Sequence, residues 1–173
     1  MPRIPYIEEK DHPELAPLIG RIVAERGKLL DLYKVLLHSP AVMEGWLGLF
    51  TAIRQKTKLD GRIREFAIMR VAILNGAEYE YSAHLPFALN EGASAEQIAA
   101  LKAWQLSPLF SAQERAALAY TDTMTKQVQV ADELFAEVKK HFDNQDLVEL
   151  TATIAGYNLV SRFLEAMQVH HQS

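Results

Sequence analysis

Residues 64–90 read REFAIMRVAILNGAEYEYSAHLPFALN, and the fold turns on how this stretch is parsed. Phe66, Ala67, Ile68 and Met69 lie between Glu65 and Arg70, charged residues that flank an apolar run within the helix. Asp60 is placed to cap that helix, Gly61 to Leu74, and Asn75-Gly76 breaks it. A second helix runs from about Ala77 to Asn90, with Gly92 as its stop. Ala77, Glu80 and His84 fall at i, i+3 and i+7, so helical geometry predicts one stripe for all three. Glu80 and His84 are one turn apart, close enough for a carboxylate to orient an imidazole or raise its basicity. Pro86 cannot donate to the carbonyl of Ser82, so a kink is expected just past the histidine, opening a small polar pocket.

Outward from this segment the helix signals continue. Asp11-His12-Pro13 opens a helix with proline in the first turn. Leu15, Leu18, Ile19, Ile22 and Val23 recur at helical spacing between Glu14 and His38, with Gly27 as an interruption and Ser39-Pro40 as the end. Ala41 to Lys56 carries Met43, Trp46, Leu47 and Phe50 on one stripe, read as core or subunit interface. Ser94-Ala-Glu-Gln97 and Ser111-Ala-Gln-Glu114 are capping-box patterns that predict helices near 95–104 and 112–127. Two more are expected near 132–142 and 144–169, the last opened by Asp143. No segment alternates apolar and polar residues over the length of a strand. The expectation is an all-α, single-domain bundle of eight or nine helices over residues 1–173.

Composition narrows the function. The chain has 173 residues, is 49% hydrophobic and 23% charged, and carries a net charge of −4, a profile of an ordinary globular domain. A mildly acidic surface repels phosphate backbones, so nucleic acid is not an expected partner. No uninterrupted apolar run reaches the roughly 18 residues of a membrane span, and MPRIPYIEEKDHPEL puts charges where a leader needs apolar residues. A cytoplasmic protein is expected. The cysteine count is zero, which excludes disulfides, thiolate metal sites and any thiol nucleophile. Glu80 and His84 at i, i+4 offer two ligands where a catalytic zinc takes three from the protein, and His170-His171 reads as a frayed terminus. No metal and no cofactor are expected. There is no phosphate-binding glycine loop and no nucleophile elbow.

The 64–90 segment resembles the carboxymuconolactone decarboxylase / alkylhydroperoxidase D family. Members carry Cys-x-x-Cys-x-x-x-His on a helix that follows an Asn-Gly or similar turn, with a glutamate one helix upstream in a segment like Arg-Glu-x-x-Ile-x-Arg-Val-Ala. Here Glu65 stands at the upstream glutamate, Arg70-Val71-Ala72 follow in the same helix, Asn75-Gly76 make the turn, and His84 stands at the histidine. Tyr157-Asn158 through Arg162 and Ala166 resemble the closing helix of the family, so the likeness covers roughly residues 40–170. The two cysteine positions fall on Ala77 and Glu80, which can neither attack a peroxide nor resolve the product. That pattern is similar to the cysteine-free branch usually carrying the decarboxylase name.

The resemblance implies an alkylhydroperoxidase D-like helical bundle and a lyase or isomerase that acts on a small organic acid or lactone without a cofactor. Decarboxylation leaves an enolate-like carbanion, and protonating it needs a positioned acid with a pKa near neutrality. His84 is the candidate acid/base, Glu65 or Glu80 would hold its tautomer, and Arg70 and Tyr79 are candidate substrate contacts. Paired burial is the plainer reading of Glu65 and Arg70, and packing that of Tyr79 and Tyr81. The rival classes are a peroxiredoxin-labelled protein without redox cysteines and a non-catalytic ligand-binding scaffold. Trp46, Phe50, Phe66 and Phe163 are more apolar bulk than one thin layer hides, so a homo-oligomer is expected, trimer or hexamer before dimer.

Overall fold

The computed structural model of the chain describes residues 2–169, so the His170-His171 pair lies outside the described residues. Among them are nine α-helices, three short 3-10 helices and no strand, the all-α class expected from the sequence. The chain divides into two compact units, one running from its start to Thr57 with the residues from Leu164 onward, the other Lys58–Phe163.

In the first unit, 3-10 turns at Glu9–Asp11 and Pro13–Leu15 lead into α1 (Ala16–Arg26), followed by α2 (Asp31–Leu36) and α3 (Pro40–Gln55). The single stretch expected over 14–38 is therefore two helices. The break is at Gly27, whose φ of +80° is left-handed and whose N–H closes on Val23 O at 2.7 Å, ending α1. Met43, Trp46, Leu47 and Phe50 are all buried on α3, as their spacing predicts.

The second unit holds α4 (Gly61–Asn75), α5 (Glu78–Asn90), α6 (Ala95–Ala100), a 3-10 turn (Leu101–Leu106), α7 (Ala112–Gln127), α8 (Asp132–Lys139) and α9 (Asn144–Met167) as far as Phe163. The caps read from the sequence are made. Asp60 accepts from Ile63 N at 3.0 Å, and both capping boxes are complete at Ser94–Gln97 and Ser111–Glu114. Gly76 (φ +68°) turns the chain between α4 and α5, and Gly92 (φ +88°) turns it after α5. The helix expected near 95–104 is α-helical only to Ala100 and then tightens to 3-10, with Ala103 outside helical geometry.

α4 is the centre of this unit. It packs against α5 and α7, and Ile63 through Ala72 are buried without interruption, so it has no polar face. Phe66 and Met69 join Ala88, Ile98, Leu101, Trp104, Phe110 and Leu118 in one core cluster. Burying side chains of this size contributes roughly 1.5–3 kcal/mol each. A helix buried all round must still satisfy its charges, since an unpaired buried charge is far more costly than a missing contact. Arg64, Glu65 and Arg70 therefore each need a partner, and the partner of Glu65 marks the candidate site.

Candidate active site

The turn at Gly76 folds α5 back along α4, which brings an early residue of α4 beside the middle of α5. Glu65 and His84 meet there: Nδ1 of His84 lies 2.7 Å from Oε2 of Glu65. Glu65 is 2% exposed and His84 7%. The other oxygen of Glu65 accepts from Nε of Arg64 at 3.3 Å, and Nη2 of Arg64 donates to Oε1 of Glu91 at 2.9 Å. Glu91 is exposed at the end of α5, so this run of groups leads from the surface to the buried imidazole.

α9 closes the other side. Its Tyr157 ring stands edge-on to the His84 ring, centroids 4.9 Å apart at 90°, while Ser161 Oγ donates to Oε2 of Glu80 at 2.9 Å. Residues one turn apart on α5 thus meet residues one turn apart on α9 in reverse order, so the two helices run antiparallel here. Phe87 approaches His84 from its own helix, centroids 5.8 Å apart. Glu80 and Ser161 are buried, at 2% and 0% exposure.

The stripe predicted for Ala77, Glu80 and His84 is kept only in part. Glu80 and His84 are buried inside α5, but Ala77 precedes the helix as its N-cap with ψ of +80°. α5 carries Pro86 in its interior and continues to Asn90. Tyr79 is buried beside Glu80. Tyr81 packs against the core cluster, and burial, then Glu78, pushes its phenol above the usual range, which keeps it neutral.

Arg70 lies elsewhere. Its Nε and Nη2 hold both oxygens of Asp122 at 2.6 and 2.9 Å, and Nη1 donates to the carbonyls of Leu101 and Lys102 at 2.9 and 3.2 Å. Trp104 and Gln105 donate to the same aspartate. The expectation that Arg70 holds a substrate carboxylate meets a guanidinium already filled by a bidentate carboxylate and two carbonyls. The arginine beside the histidine site is Arg64, which the sequence reading passed over although it adjoins Glu65 in a helix without a polar face. Ser161 was also missed; its spacing of four from Tyr157 is the signal that could have found it.

What this arrangement can do follows from its atoms. A carboxylate that accepts from Nδ1–H leaves Nε2 as the proton-transferring nitrogen. No thiol stands near it, because the chain has no cysteine. Among the described residues no three His, Asp or Glu side chains converge as metal ligands do, and no helix is long and apolar enough to cross a membrane.

Comparison with known proteins places the chain in a family. The family model described as "Carboxymuconolactone decarboxylase family" matches residues 40–123. The uncharacterized protein YnjA of Escherichia coli is 33% identical over 138 residues, covering 79% of this chain and 73% of its own length. A solved protein of unknown function from Agrobacterium tumefaciens, suggested to be an antioxidant-defence protein AhpD, superposes with a TM-score of 0.74 at 25% identity, over 79% of this chain and 94% of that one. An alkylhydroperoxidase AhpD core from Ralstonia eutropha, called peroxidase-related, superposes with a TM-score of 0.84 over 99% of this chain and 93% of that one. At 17% identity it shares the fold alone.

Proposed function

The chain belongs to the carboxymuconolactone decarboxylase family, and on that premise we propose that it is a cofactor-independent lyase or isomerase of a small organic acid or lactone, with His84 as acid/base. The observation that carries this reading is the buried 2.7 Å contact between His84 Nδ1 and Glu65 Oε2. Held this way, the imidazole takes a proton on Nε2 and returns it to carbon without changing tautomer. In a decarboxylation the bond from the ring carbon to the carboxylate breaks and carbon dioxide leaves. The electron pair passes into the conjugated lactone carbonyl as an enolate, the carbon takes the Nε2 proton, and water restores that proton to the imidazole. Glu80, fixed by Ser161, and its neighbour Tyr79 are proposed to line the substrate side. Arg70 is assigned to the structure rather than to the substrate.

Thiol peroxidase chemistry needs a sulfur that Ala77 and Glu80 do not supply. A thermal-shift screen of lactones and aromatic-degradation acids tests the proposal, followed by turnover of whatever binds. Stabilisation by a lactone acid that the protein then consumes supports it. Hydroperoxide turnover with a dithiol, at a rate proportional to protein concentration, contradicts it.

We further propose a homo-oligomer, but on a changed footing. Trp46, Phe50 and Phe66 are 8%, 4% and 1% exposed within the chain itself, so they no longer argue for a partner. Phe87 and Leu89 on α5 are 45% and 48% exposed instead. Light scattering at three or six times 19.5 kDa supports assembly, and a mass near 19.5 kDa contradicts it.

A further inference from the structure

Glu65 has two carboxylate oxygens, and only one faces His84. The other faces Arg64, whose side chain is 10% exposed and whose outer nitrogen is held by Glu91. Glu91 owes its place to a glycine. A Cβ built on Gly61 would lie 2.0 Å from Oε2 of Glu91, 2.2 Å from Cδ and 2.7 Å from Oε1, so any side chain there occupies the seat of this carboxylate. Gly61 is the first residue of α4, and the three heavy atoms nearest to that Cβ all belong to the carboxylate of Glu91.

We propose that Arg64 is a positioning residue for His84, and that Glu91, seated on Gly61, holds Arg64 in that role. The run Glu91–Arg64–Glu65–His84 then works as a single device. Glu91 draws the outer end of the guanidinium, Arg64 Nε fixes one oxygen of Glu65, and the remaining oxygen is turned to His84 Nδ1. Losing the Glu91 carboxylate frees Arg64 to bind Glu65 with both arms of its fork, as guanidinium prefers. Glu65 then turns from the imidazole, and the Nδ1–H bond weakens. None of these four residues needs to move its backbone.

This inference rests on the reading of His84 as acid/base, but its test does not need turnover. The signals of the His84 imidazole, assigned by NMR in uniformly nitrogen-labelled protein, report the tautomer and the strength of the Nδ1–H bond. Glu91→Gln removes the charge, and Gly61→Ala expels the intact carboxylate at small cost, because the atoms its Cβ meets first are the end of a flexible side chain. Both variants are expected to move the Nδ1 proton upfield and quicken its exchange with water, in the same direction as Arg64→Lys and by less than Glu65→Gln. A parent-like His84 spectrum in both Glu91→Gln and Gly61→Ala, alongside an altered one in Glu65→Gln, overturns the proposal. If the spectra move as expected and no lactone acid is consumed, the run of groups stands and the lyase reading falls.

Discussion

Nδ1 of His84 sits 2.7 Å from Oε2 of Glu65, nineteen residues earlier in the chain and one helix away, with both side chains almost wholly buried. Exposed ion pairs of this kind contribute little and hold no geometry. Here burial removes the competing water, so the imidazole is kept in one tautomer. Replacing Glu65 by Gln keeps the size but lets the amide present either a donor or an acceptor to Nδ1. Positioned acid/base groups contribute about 10²–10⁴-fold to rate, and the variant should lose activity on that scale. Steady-state kinetics on the substrate found by screening measures it, and a kcat within about twofold of the parent would remove Glu65 from the mechanism.

Arg70 and Asp122 form a bidentate pair 52 residues apart, joined by two carbonyls and two further donors. Breaking such a buried pair from one side leaves a charge without its partner and costs about 3–5 kcal/mol. Arg70→Met and Asp122→Leu should each lower the unfolding free energy measured by urea titration by that amount, and the double variant by less than the sum. A variant of Arg70 with parental stability and a raised KM would return this residue to the substrate.

Val128 follows α7 at φ +67° and ψ −50°, with the N–H of Gln129 closing on Gln127 O at 2.7 Å. A β-branched residue is strained in such a γ-turn, and at 78% exposure its side chain gains little from packing. Glycine relieves the strain and adds back some unfolded-state entropy, for a net gain of about 1 kcal/mol. Val128→Gly should raise Tm in calorimetry; an unchanged or lowered Tm means the turn is not strained.

Asp143 opens α9 and is held below the usual carboxylate value of 3.8, first by its bond from Lys58 and then by the backbone N–H of Asp146. A depressed carboxylate stabilises the fold above its unfolded pKa and loses that contribution as pH falls through the folded one. Lys58, raised above 10.5 by the same bond, keeps its share at every pH below that. Asp143→Asn retains the cap and loses the charge. Its stability deficit should be constant through neutral pH and close as pH drops below 3.8, and high salt should narrow it. A deficit that persists unchanged into acid would assign the effect to the cap alone.

Much of this fold was legible because helix ends are local chemistry. Asp60, Ser94, Ser111, Gly76 and Gly92 act through bonds to residues within five positions, and each does what its type and spacing predict. Glu65 and His84 were legible through resemblance, since only a family pattern links residues nineteen apart on different helices. The partner of Arg70 was not legible, because Asp122 lies on α7 and nothing in the spacing of α4 points there. Arg64 was overlooked for a related reason: its second partner, Glu91, lies 27 residues on, past α5, and nothing local points to it.

The most direct test of the account is decarboxylation, or isomerisation, of a bound lactone acid in deuterium oxide, followed by proton NMR of the product carbon. The parent protein should place deuterium at a single carbon with one stereochemistry. His84→Ala should lose both turnover and stereochemical control while its circular dichroism and oligomeric mass stay unchanged. Equal rates and equal deuterium placement in parent and His84→Ala would contradict the account, and His84 would be a buried partner of Glu65 with no part in chemistry.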